Sequence, residues 1–346
     1  MEIEKEKETE TEVAKETAKG KGKPKKYYLF NQRFQKVELL GSGSYGYVYK
    51  VELKDKPGEY YALKKFRENN NNNEGFNSSA IREITILKEL KHENIEKIID
   101  TFYCINSLYV QYEYIECVLS KLIRLNIDKG KKLLSEADIK GIMQQILTGL
   151  AEIHRNGILH RDLAPSNILI NKNGVVKIGD FGLARFIASP DKPMTSGIIT
   201  RYYRPPEILF QAKFYSYNID VWSAGCILAE MLLNEVLFKG ADDIDMMKKI
   251  FTLLGIPNDS IWPNAIQLDK YIPFTGGPAE TIQKKFSKFS EDCRDLLEKM
   301  LVLNPNDRIS AAEALNHRYF TNEPLPSSKE KIAEIIKKYY LYKAGE

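Results

Sequence analysis

Three side chains with oxygen donors stand at short, fixed spacings in the middle of the chain. Asp162 and Asn167 lie five residues apart in HRDLAPSN (160–167), and Asp180 follows thirteen residues later in KIGDFGLAR (177–185). Carboxylate and carboxamide oxygens are ligands that Mg²⁺ takes in proteins, and a positioned aspartate accepts or orients the proton of an attacking hydroxyl. These residue types predict a site that binds a divalent cation and handles the proton of a hydroxyl.

A glycine-rich stretch, GSGSYGYV, places glycines at 41, 43 and 46 and Val48 two residues later. Dinucleotide-binding folds also use GxGxxG, but there the glycines open a helix whose N-terminus holds the pyrophosphate. Here a β-rich run (48–53) without helical period follows, so we expect a glycine turn between two strands instead of one that opens a helix. The strand disfavours a dinucleotide-dependent oxidoreductase, and no GxxxxGK[ST] loop occurs.

A lysine and a glutamate are placed to form an ion pair. Lys64 lies on the predicted third strand, YYALKKF (60–66), and Glu83 on a helix predicted near SSAIREITILKEL (78–90). A lone lysine on a strand is usually only solvated, but this spacing lets the two side chains meet. A lysine held by a glutamate offers a fixed positive charge to the α- and β-phosphates, and moving the helix breaks the pair. The residues predicted to form the apolar face of the helix are Ile81, Ile84, Leu87 and Leu90.

The composition bounds the class of protein. The 346 residues include 43% hydrophobic and 28% charged residues, as in globular proteins with a sizeable core. A net charge of +4 is too small to indicate nucleic-acid binding. The four cysteines show no CxxC spacing and no apolar run approaches about 18 residues, which predicts neither disulfides, nor a zinc site, nor a membrane span. Without an apolar signal-peptide core at the N-terminus, we expect the nucleus or the cytoplasm.

Two segments are biased in composition. Residues 1–26 contain no aromatic residue and predict a disordered charged tail, and ENNNNNEG (68–75) predicts an inserted loop. From about residue 135 the pattern is mostly helical. After residue 320, a capping box of Ser327 with Glu330 predicts an amphipathic helix that docks on its own domain. Its apolar stripe is formed by Ile332, Ile335, Ile336, Tyr339 and Tyr340.

These motifs, in this order, resemble those of the eukaryotic protein kinases over about residues 34–320, with RPPE (204–207), DVWSAGC (220–226) and Arg308 added to them. The resemblance implies an α+β, two-lobed protein kinase fold that uses ATP and Mg²⁺. The expected parts are a β-rich N-lobe with one main helix (27–116), a larger, mostly helical C-lobe (117–320) and a C-terminal tail (321–346). It also implies that Glu207 pairs with Arg308 and that Asp220 braces the catalytic loop.

The resemblance carries residue roles onto matching positions. The implied catalytic residues are Asp162, Lys64, Asn167, Asp180 and Thr200, of which Asn167 and Asp180 hold the metal and Thr200 bonds Asp162. The implied ATP-binding residues are Gly41, Ser42, Gly43, Ser44, Gly46, Val48, Ala62, Lys64, Glu113 and Ile115. Tyr112 takes the gatekeeper position before the adenine-binding stretch. Val118 replaces an acidic residue that the family often has near the ribose, and Cys117 beside it is interpreted as a packed thiol.

A narrower resemblance is to the cyclin-dependent kinases, whose cyclin-contacting helix carries the signature PSTAIRE. SSAIREITILKEL (78–90) is similar to it and implies a cyclin-like partner that pushes the helix inward. ASPDKPMTS and IFTLLGIPNDSIWP look most like the CDK-activating subgroup, which implies other cyclin-dependent kinases or the transcription machinery as substrates. Ser44 and Tyr45 resemble the inhibitory phosphorylation sites of cell-cycle members, and the Asn run and RYYRPPE depart from the subgroup.

The resemblance also implies a phosphorylation switch. Thr195 matches the activating threonine, and Arg82, Arg161 and Arg185 match arginines that converge on it. Three unpaired guanidinium groups placed together repel one another. A phosphate on Thr195 relieves that repulsion and orders the segment.

Ile198, Ile199 and Arg204 match a pocket for the residue after the target Ser or Thr. Proline lacks an N–H group, so it loses nothing where no acceptor is offered, whereas other residues bury an unmatched donor. We therefore expect protein substrates with Ser/Thr-Pro sites.

One position leaves two functions open. Kinases for Ser or Thr usually carry a lysine where this chain has Ala164, and loss of one such charge costs about 10²–10³ in rate. Since Lys64, Glu83, Asp162, Asn167 and Asp180 are all present, an active enzyme is favoured. The alternative is a catalytically weak kinase fold that serves as a scaffold for a cyclin or another partner.

Overall fold

The computed structural model describes residues 32–43, 46–66, 78–104, 107–128, 134–187, 199–276 and 279–344. Several predicted features fall outside these residues, namely the charged tail (1–26), the Asn run (68–75), Ser44, Tyr45, Thr195 and Ile198. The described chain forms two compact units. The first contains the residues up to Lys88 together with Lys97–Tyr114, and the second contains Glu89–Glu96 and the residues from Ile115 onward.

The first unit is built on a five-stranded antiparallel sheet with strand order β1-β2-β3-β5-β4. Its strands are β1 (Phe34–Gly43), β2 (Gly46–Leu53), β3 (Lys56–Phe66), β4 (Ile98–Cys104) and β5 (Ser107–Glu113). Aromatic and branched side chains favour this sheet. The rings of Phe34, Phe102 and Tyr109 stack at 5.8 and 5.3 Å between centroids and form the core of one face. The two strands flanking the glycine turn and the third strand carrying Lys64 are confirmed.

The main helix of this unit, α1 (Ser78–Glu89), forms where it was predicted, and its predicted apolar face is buried only in part. Ile81 was expected on the apolar face and is 50% exposed, whereas Ile86 is fully buried. Leu87 is buried as predicted, and it shares the inward side with Ala80 and Glu83, which are also buried. A periodicity count could not find this face because one of its inward positions is a charged residue with a buried partner.

The second unit is mostly helical. Its helices are α2 (Leu119–Asp128), α3 (Glu136–Arg155), α4 (Pro206–Leu209), α5 (Asn218–Leu233), α6 (Asp243–Leu254), α7 (Ile282–Lys285), α8 (Glu291–Met300), α9 (Ala311–Leu315) and α10 (Lys329–Ala344). Helix α3 starts with a capping box in which Ser135 and Asp138 exchange hydrogen bonds. Nearly every residue of α5 is buried, which makes it the central helix of this unit. No helix in the described part of the chain is long and apolar enough to cross a membrane.

Short strands in the second unit carry the loops that hold the polar motifs. They are β6 (Cys117–Val118), β7 (Ile158–Leu159), β8 (Ile168–Ile170), β9 (Val176–Ile178) and β10 (Arg185–Phe186). Strand β8 pairs with both β6 and β9, and β7 pairs with β10. HRDLAPSN therefore leaves β7 and enters β8, and the Asp180 motif leaves β9 and enters β10. The two loops meet because the strands at their ends pair with each other, β7 with β10 and β8 with β9.

The C-terminal helix α10 docks on the second unit, as predicted from its apolar stripe. Ile332, Ile335, Ile336 and Tyr339 are buried and Tyr340 is half-buried. The predicted capping box is wrong by one residue, since Ser328 accepts the hydrogen bond from the Lys331 amide. Ser327 instead donates to Asp138 at 2.6 Å, because its hydroxyl is used to tie the tail to helix α3.

Candidate active site

Asp162 is fixed by hydrogen bonds on both oxygens of its carboxylate. Oδ1 accepts from the amide of Thr200 at 2.9 Å and from its hydroxyl at 2.8 Å. Oδ2 accepts from the side-chain amide of Asn167 at 3.2 Å, and the same amide donates to the Asp162 carbonyl at 2.8 Å. The structure thus brings together three of the predicted catalytic residues, and the Thr200–Asp162 bond forms as expected. The Asp162 carboxylate is held in one orientation and is only partly buried, so it can accept a further hydrogen bond.

His160 joins the catalytic loop to the loop of Asp180. Its Nδ1 accepts from the amide of Asp162 at 3.3 Å, so the proton lies on Nε2, which donates to the carbonyl of Gly179 at 3.0 Å. The imidazole is fully buried and stands edge-on to the ring of Phe181. The His160 side chain therefore ties the two loops together.

Asn167 and Asp180 offer oxygen donors of the kind that a magnesium ion takes. The amide of Gly179 donates to the Asn167 carbonyl at 2.8 Å, which places Asp180 next to Asn167 along the two loops. The amide nitrogen of Asn167 is engaged by Asp162, and its side-chain oxygen, which accepts a long contact of 3.4 Å from the Ser166 hydroxyl, is the atom suited to coordinate a cation. Asp180 is exposed, and its backbone is in the left-handed region with φ 54°. Hard oxygen donors suit Mg²⁺ rather than softer metals.

Asp220 braces the catalytic loop from beneath, as the resemblance implied. Its carboxylate accepts from the amides of His160 at 2.9 Å and Arg161 at 2.8 Å, and Nε2 of His154 lies 3.0 Å away. Complete burial acts to raise the pKa of Asp220, but the hydrogen bond and charge of His154 and the remaining donors outweigh it and hold the pKa below its usual value. The charged form is therefore stabilised, and it holds Arg161 at φ 65°, a strained conformation for a non-glycine residue.

Lys64 and Glu83 form the predicted ion pair in the first unit. The lysine Nζ lies 3.0 and 2.8 Å from the two carboxylate oxygens. Lys64 is 8% and Glu83 1% exposed. A buried pair persists only where further hydrogen bonds complete its solvation. Here the hydroxyl of Tyr112 donates to Oε1 of Glu83 at 2.6 Å, a contact that the sequence did not reveal.

The residues predicted to bind ATP lie on both units. Gly41, Ser42 and Gly43 end β1, Gly46 and Val48 begin β2, Ala62 and Lys64 lie on β3, Glu113 ends β5, and Ile115 begins the second unit. At Gly46 the backbone has φ 153° and a Cβ would collide with the carbonyl of Lys65 on β3. Glycine is thus required there by the approach of the two strands. Cys117 is fully buried, in agreement with a packed thiol.

The arginines predicted to receive a phosphate are not all unpaired. Arg161 donates to the carbonyl of Leu183 at 2.8 Å and to the hydroxyl of Tyr215 at 3.0 Å, so the expectation of three unpaired guanidiniums is wrong for this one. Burial raises the pKa of Tyr215, and the charges of Arg161 and Arg185 oppose that shift. Both positive charges therefore act on the same hydroxyl. The third, Arg82, lies in helix α1 of the first unit.

Two residues of the predicted substrate pocket contact each other. Ile199 is 3% exposed and has φ 72°, a rare conformation for a β-branched residue. Its carbonyl accepts from Nε of Arg204 at 2.7 Å, and Arg204 also contacts Asp243 at 3.1 Å. The Ile199 carbonyl, which could otherwise bond a peptide N–H, is therefore engaged within the chain.

The predicted pair of Glu207 and Arg308 is bidentate and buried. The guanidinium nitrogens lie 2.8 and 3.1 Å from the carboxylate oxygens. Arg308 also donates to the carbonyls of Asn218 and Val302 and stacks over the ring of Trp222. It therefore links helices α4 and α5 to the segment before α9.

Sequence reasoning missed His154 and Tyr215, and it placed Tyr112 at the gatekeeper position without revealing its contact with Glu83. Each one donates to, accepts from or faces a charged atom of a predicted residue. Histidine and tyrosine are common in hydrophobic cores, neither His154 nor Tyr215 lies in a motif that marks it, and the gatekeeper position of Tyr112 does not indicate a bond to Glu83. Only the tertiary fold makes these contacts identifiable.

The chain is similar to known proteins in both sequence and structure. The protein kinase domain family matches residues 34–320. Cyclin-dependent kinase 7 of Dictyostelium discoideum is 44% identical over 287 residues, which cover 82% of this chain and 78% of that protein. Cyclin-dependent kinase D-1 of Arabidopsis thaliana is 43% identical over 306 residues, 88% of this chain and 75% of that protein. A solved structure of the CAK complex of Chaetomium thermophilum bound to ATP-gamma-S contains a chain with TM-score 0.78 and 33% identity, and the match covers 87% of this chain and 94% of that one.

Proposed function

Because the chain belongs to the cyclin-dependent kinases, a group of protein serine/threonine kinases, we propose that it phosphorylates Ser or Thr followed by Pro. A cyclin-like subunit and phosphorylation of Thr195 switch it on, and its substrates are other cyclin-dependent kinases or the transcription machinery. It acts in the nucleus or the cytoplasm, without direct binding to nucleic acid or membranes. The observation that carries the proposal is the carboxylate of Asp162, fixed by Thr200 and Asn167 beside Asp180.

The proposed reaction divides its work among these side chains. Asp162 accepts or orients the proton of the substrate hydroxyl, while Thr200 and Asn167 hold its carboxylate still. Lys64, fixed by Glu83, binds the phosphates of ATP. Asn167 and Asp180 would hold Mg²⁺, which neutralises charge on the transferring phosphoryl group when bound. Positioning and electrostatic stabilisation supply most of the rate in such transfers.

Ala164 supplies no charge at the position of the usual lysine. The residue is 1% exposed and extended, immediately before the turn that carries Asn167. Its methyl group is packed into the loop, so the catalytic loop keeps its hydrogen bonds without the lysine. We propose an active enzyme in which magnesium provides most of the positive charge.

The engaged carbonyl of Ile199 supports selection of proline. Any other residue after the target Ser or Thr would bury an N–H without an acceptor, at a cost of about 1–3 kcal/mol. For two peptides that differ only in Pro or Ala at that position, we expect kcat/KM to favour the proline peptide by roughly tenfold to hundredfold. Steady-state kinetics with the partner-bound enzyme measures this ratio.

A pair of arginine variants tests the source of that selectivity. Arg204→Gln frees the Ile199 carbonyl and should narrow the ratio, because an Ala peptide then finds an acceptor. Arg201→Gln is the matched control, since Arg201 approaches the same Asp243 but contacts the Ala241 carbonyl instead of Ile199. Equal rates on both peptides in the wild type would refute selection of proline.

The activation segment provides a further prediction. Both proteins are bound to the partner, and the wild type is phosphorylated on Thr195. Relative to that wild type, we expect Thr195→Ala to have a kcat about tenfold to hundredfold lower, because charge-assisted hydrogen bonds to arginine are lost. Intact mass analysis establishes the phosphorylation, and peptide kinetics gives the loss. Thr252→Ala, at an exposed site of helix α6, serves as control. Full activity of the wild type without phosphate on Thr195 would contradict the switch.

A further inference from the structure

The ion pair of the first unit has a third member. Glu83 is 1% exposed, and its carboxylate accepts two contacts from Lys64 and one from the hydroxyl of Tyr112. Oε1 is shared by both donors, at 3.0 Å from Lys64 and 2.6 Å from Tyr112. The short oxygen–oxygen distance is typical of a hydroxyl that donates to a carboxylate. Tyr112 is itself 3% exposed.

The strand register explains why these side chains meet. Tyr112 on β5 pairs with Ala62 on β3, and Lys64 on β3 pairs with Val110 on β5. Tyr112 and Lys64 are therefore diagonal neighbours on one face of the sheet, within reach of each other's long side chains. Glu83 reaches that face from helix α1. The sheet thus holds the helix through two donors to one carboxylate rather than through the lysine alone.

The hydrogen bond from the Tyr112 hydroxyl is important because the carboxylate that accepts it is buried. A buried ion pair stays formed only if the remaining lone pairs are also satisfied. A hydrogen bond to a charged group contributes about 1.5–3 kcal/mol, and each 1.4 kcal/mol is a factor of ten. Loss of the Tyr112 hydroxyl should therefore raise the population in which Glu83 has left the sheet by tenfold or more.

We propose that Tyr112 is a positioning residue for Lys64: its hydroxyl keeps helix α1 against the sheet through Glu83. The position assigned as gatekeeper on sequence grounds thereby acts through its polar tip as well as through its size. Only the expected effect of Tyr112 on catalysis rests on the proposed function, in which Lys64 binds the phosphates of ATP. Its structural effect, retention of helix α1, is independent of turnover.

Hydrogen exchange of the full chain without nucleotide tests the structural effect. In Tyr112→Phe we expect the amides of helix α1 (78–89) to exchange about tenfold faster or more, because each opening now breaks fewer bonds. Tyr109→Phe is the matched control, since it removes a hydroxyl from a similarly buried tyrosine of the same strand that packs on Phe102 instead. In a Glu83→Ala background, Tyr112→Phe should change nothing further.

Kinetics supplies a readout that a general loss of stability would not produce. The KM for ATP should rise in Tyr112→Phe while the KM for the peptide stays within twofold. Exchange of helix α1 unchanged within twofold, equal acceleration in Tyr109→Phe, or an undiminished effect in the Glu83→Ala background would each overturn the proposal. A chain that transfers no phosphate would refute the proposed function, whereas the exchange result would still decide the place of Tyr112.

Discussion

Asp162→Asn is expected to lower kcat for peptide phosphorylation by about 10²–10⁴, the range that a positioned general base supplies. Asparagine keeps the shape of the side chain and an oxygen for Thr200, whose hydroxyl and amide both donate to Oδ1. The new amide group loses the hydrogen bond from the Asn167 side chain, but that side chain still donates to the backbone carbonyl at position 162. The loop should therefore remain in place while the negative charge is lost. Stopped-flow or quench-flow measurement of a single turnover with the partner-bound enzyme gives the rate of transfer itself.

The same variant separates chemistry from binding. Since Asp162 is not among the groups proposed to hold the metal or the nucleotide, the affinity for ATP with Mg²⁺ should stay within about threefold, as calorimetry can show. Asp259→Asn, the same change at an exposed position, is the control and should be silent. Transfer within tenfold of the wild-type rate in Asp162→Asn would mean that another group handles the proton.

The second large effect is on stability. Arg308→Leu should lower the free energy of unfolding of the second unit by about 3–5 kcal/mol, since it leaves the carboxylate of Glu207 buried without its partner. Glu207 is 2% exposed and Arg308 is 5% exposed, so water cannot replace the lost bonds. Both tryptophans, Trp222 and Trp262, belong to the second unit, so urea unfolding followed by their fluorescence reports on that unit.

An exposed pair provides the matched comparison. Arg155 contacts Glu152 at 2.7 Å, but its side chain is 77% exposed. Arg155→Leu removes the same type of charge and should cost less than about 1 kcal/mol, as exposed pairs usually do. If both leucine variants unfolded at the same urea concentration, the buried pair would not be what joins helices α4 and α5 to the segment before α9.

Much of the site could be predicted because its residues lie in continuous motifs. HRDLAPSN fixes Asp162 and Asn167 on one loop, and the strands at both ends of each loop bring Asp180 beside them. The Lys64–Glu83 pair could be expected because strand and helix follow each other along the chain. Resemblance to a large family supplied the more distant partners, including Thr200 for Asp162 and Arg308 for Glu207.

The features that could not be predicted depend on tertiary contacts between unmarked residues. Ile81 was placed on the buried face because hydrophobic periodicity has no means of recognising that a charged residue, Glu83, points inward. The Arg161 contacts with Tyr215 and Leu183 involve residues more than twenty positions away. The cap of the last helix shifted by one residue because Ser327 is used to hold Asp138. In each case the outcome depends on tertiary contacts that local patterns along the chain do not encode.

The most direct test of the central claim compares γ-phosphate transfer by the wild type and by Asp162→Asn, each purified with the activating partner. Labelled ATP and a Ser-Pro peptide are supplied with Mg²⁺, and incorporation is followed over one turnover. If the enzyme is active despite Ala164 and its activity depends on Asp162, the wild type should transfer phosphate at least about a hundredfold faster than the variant. Binding of ATP and Mg²⁺ with equal, background transfer in both proteins would contradict this account and favour a kinase fold that serves only as a scaffold.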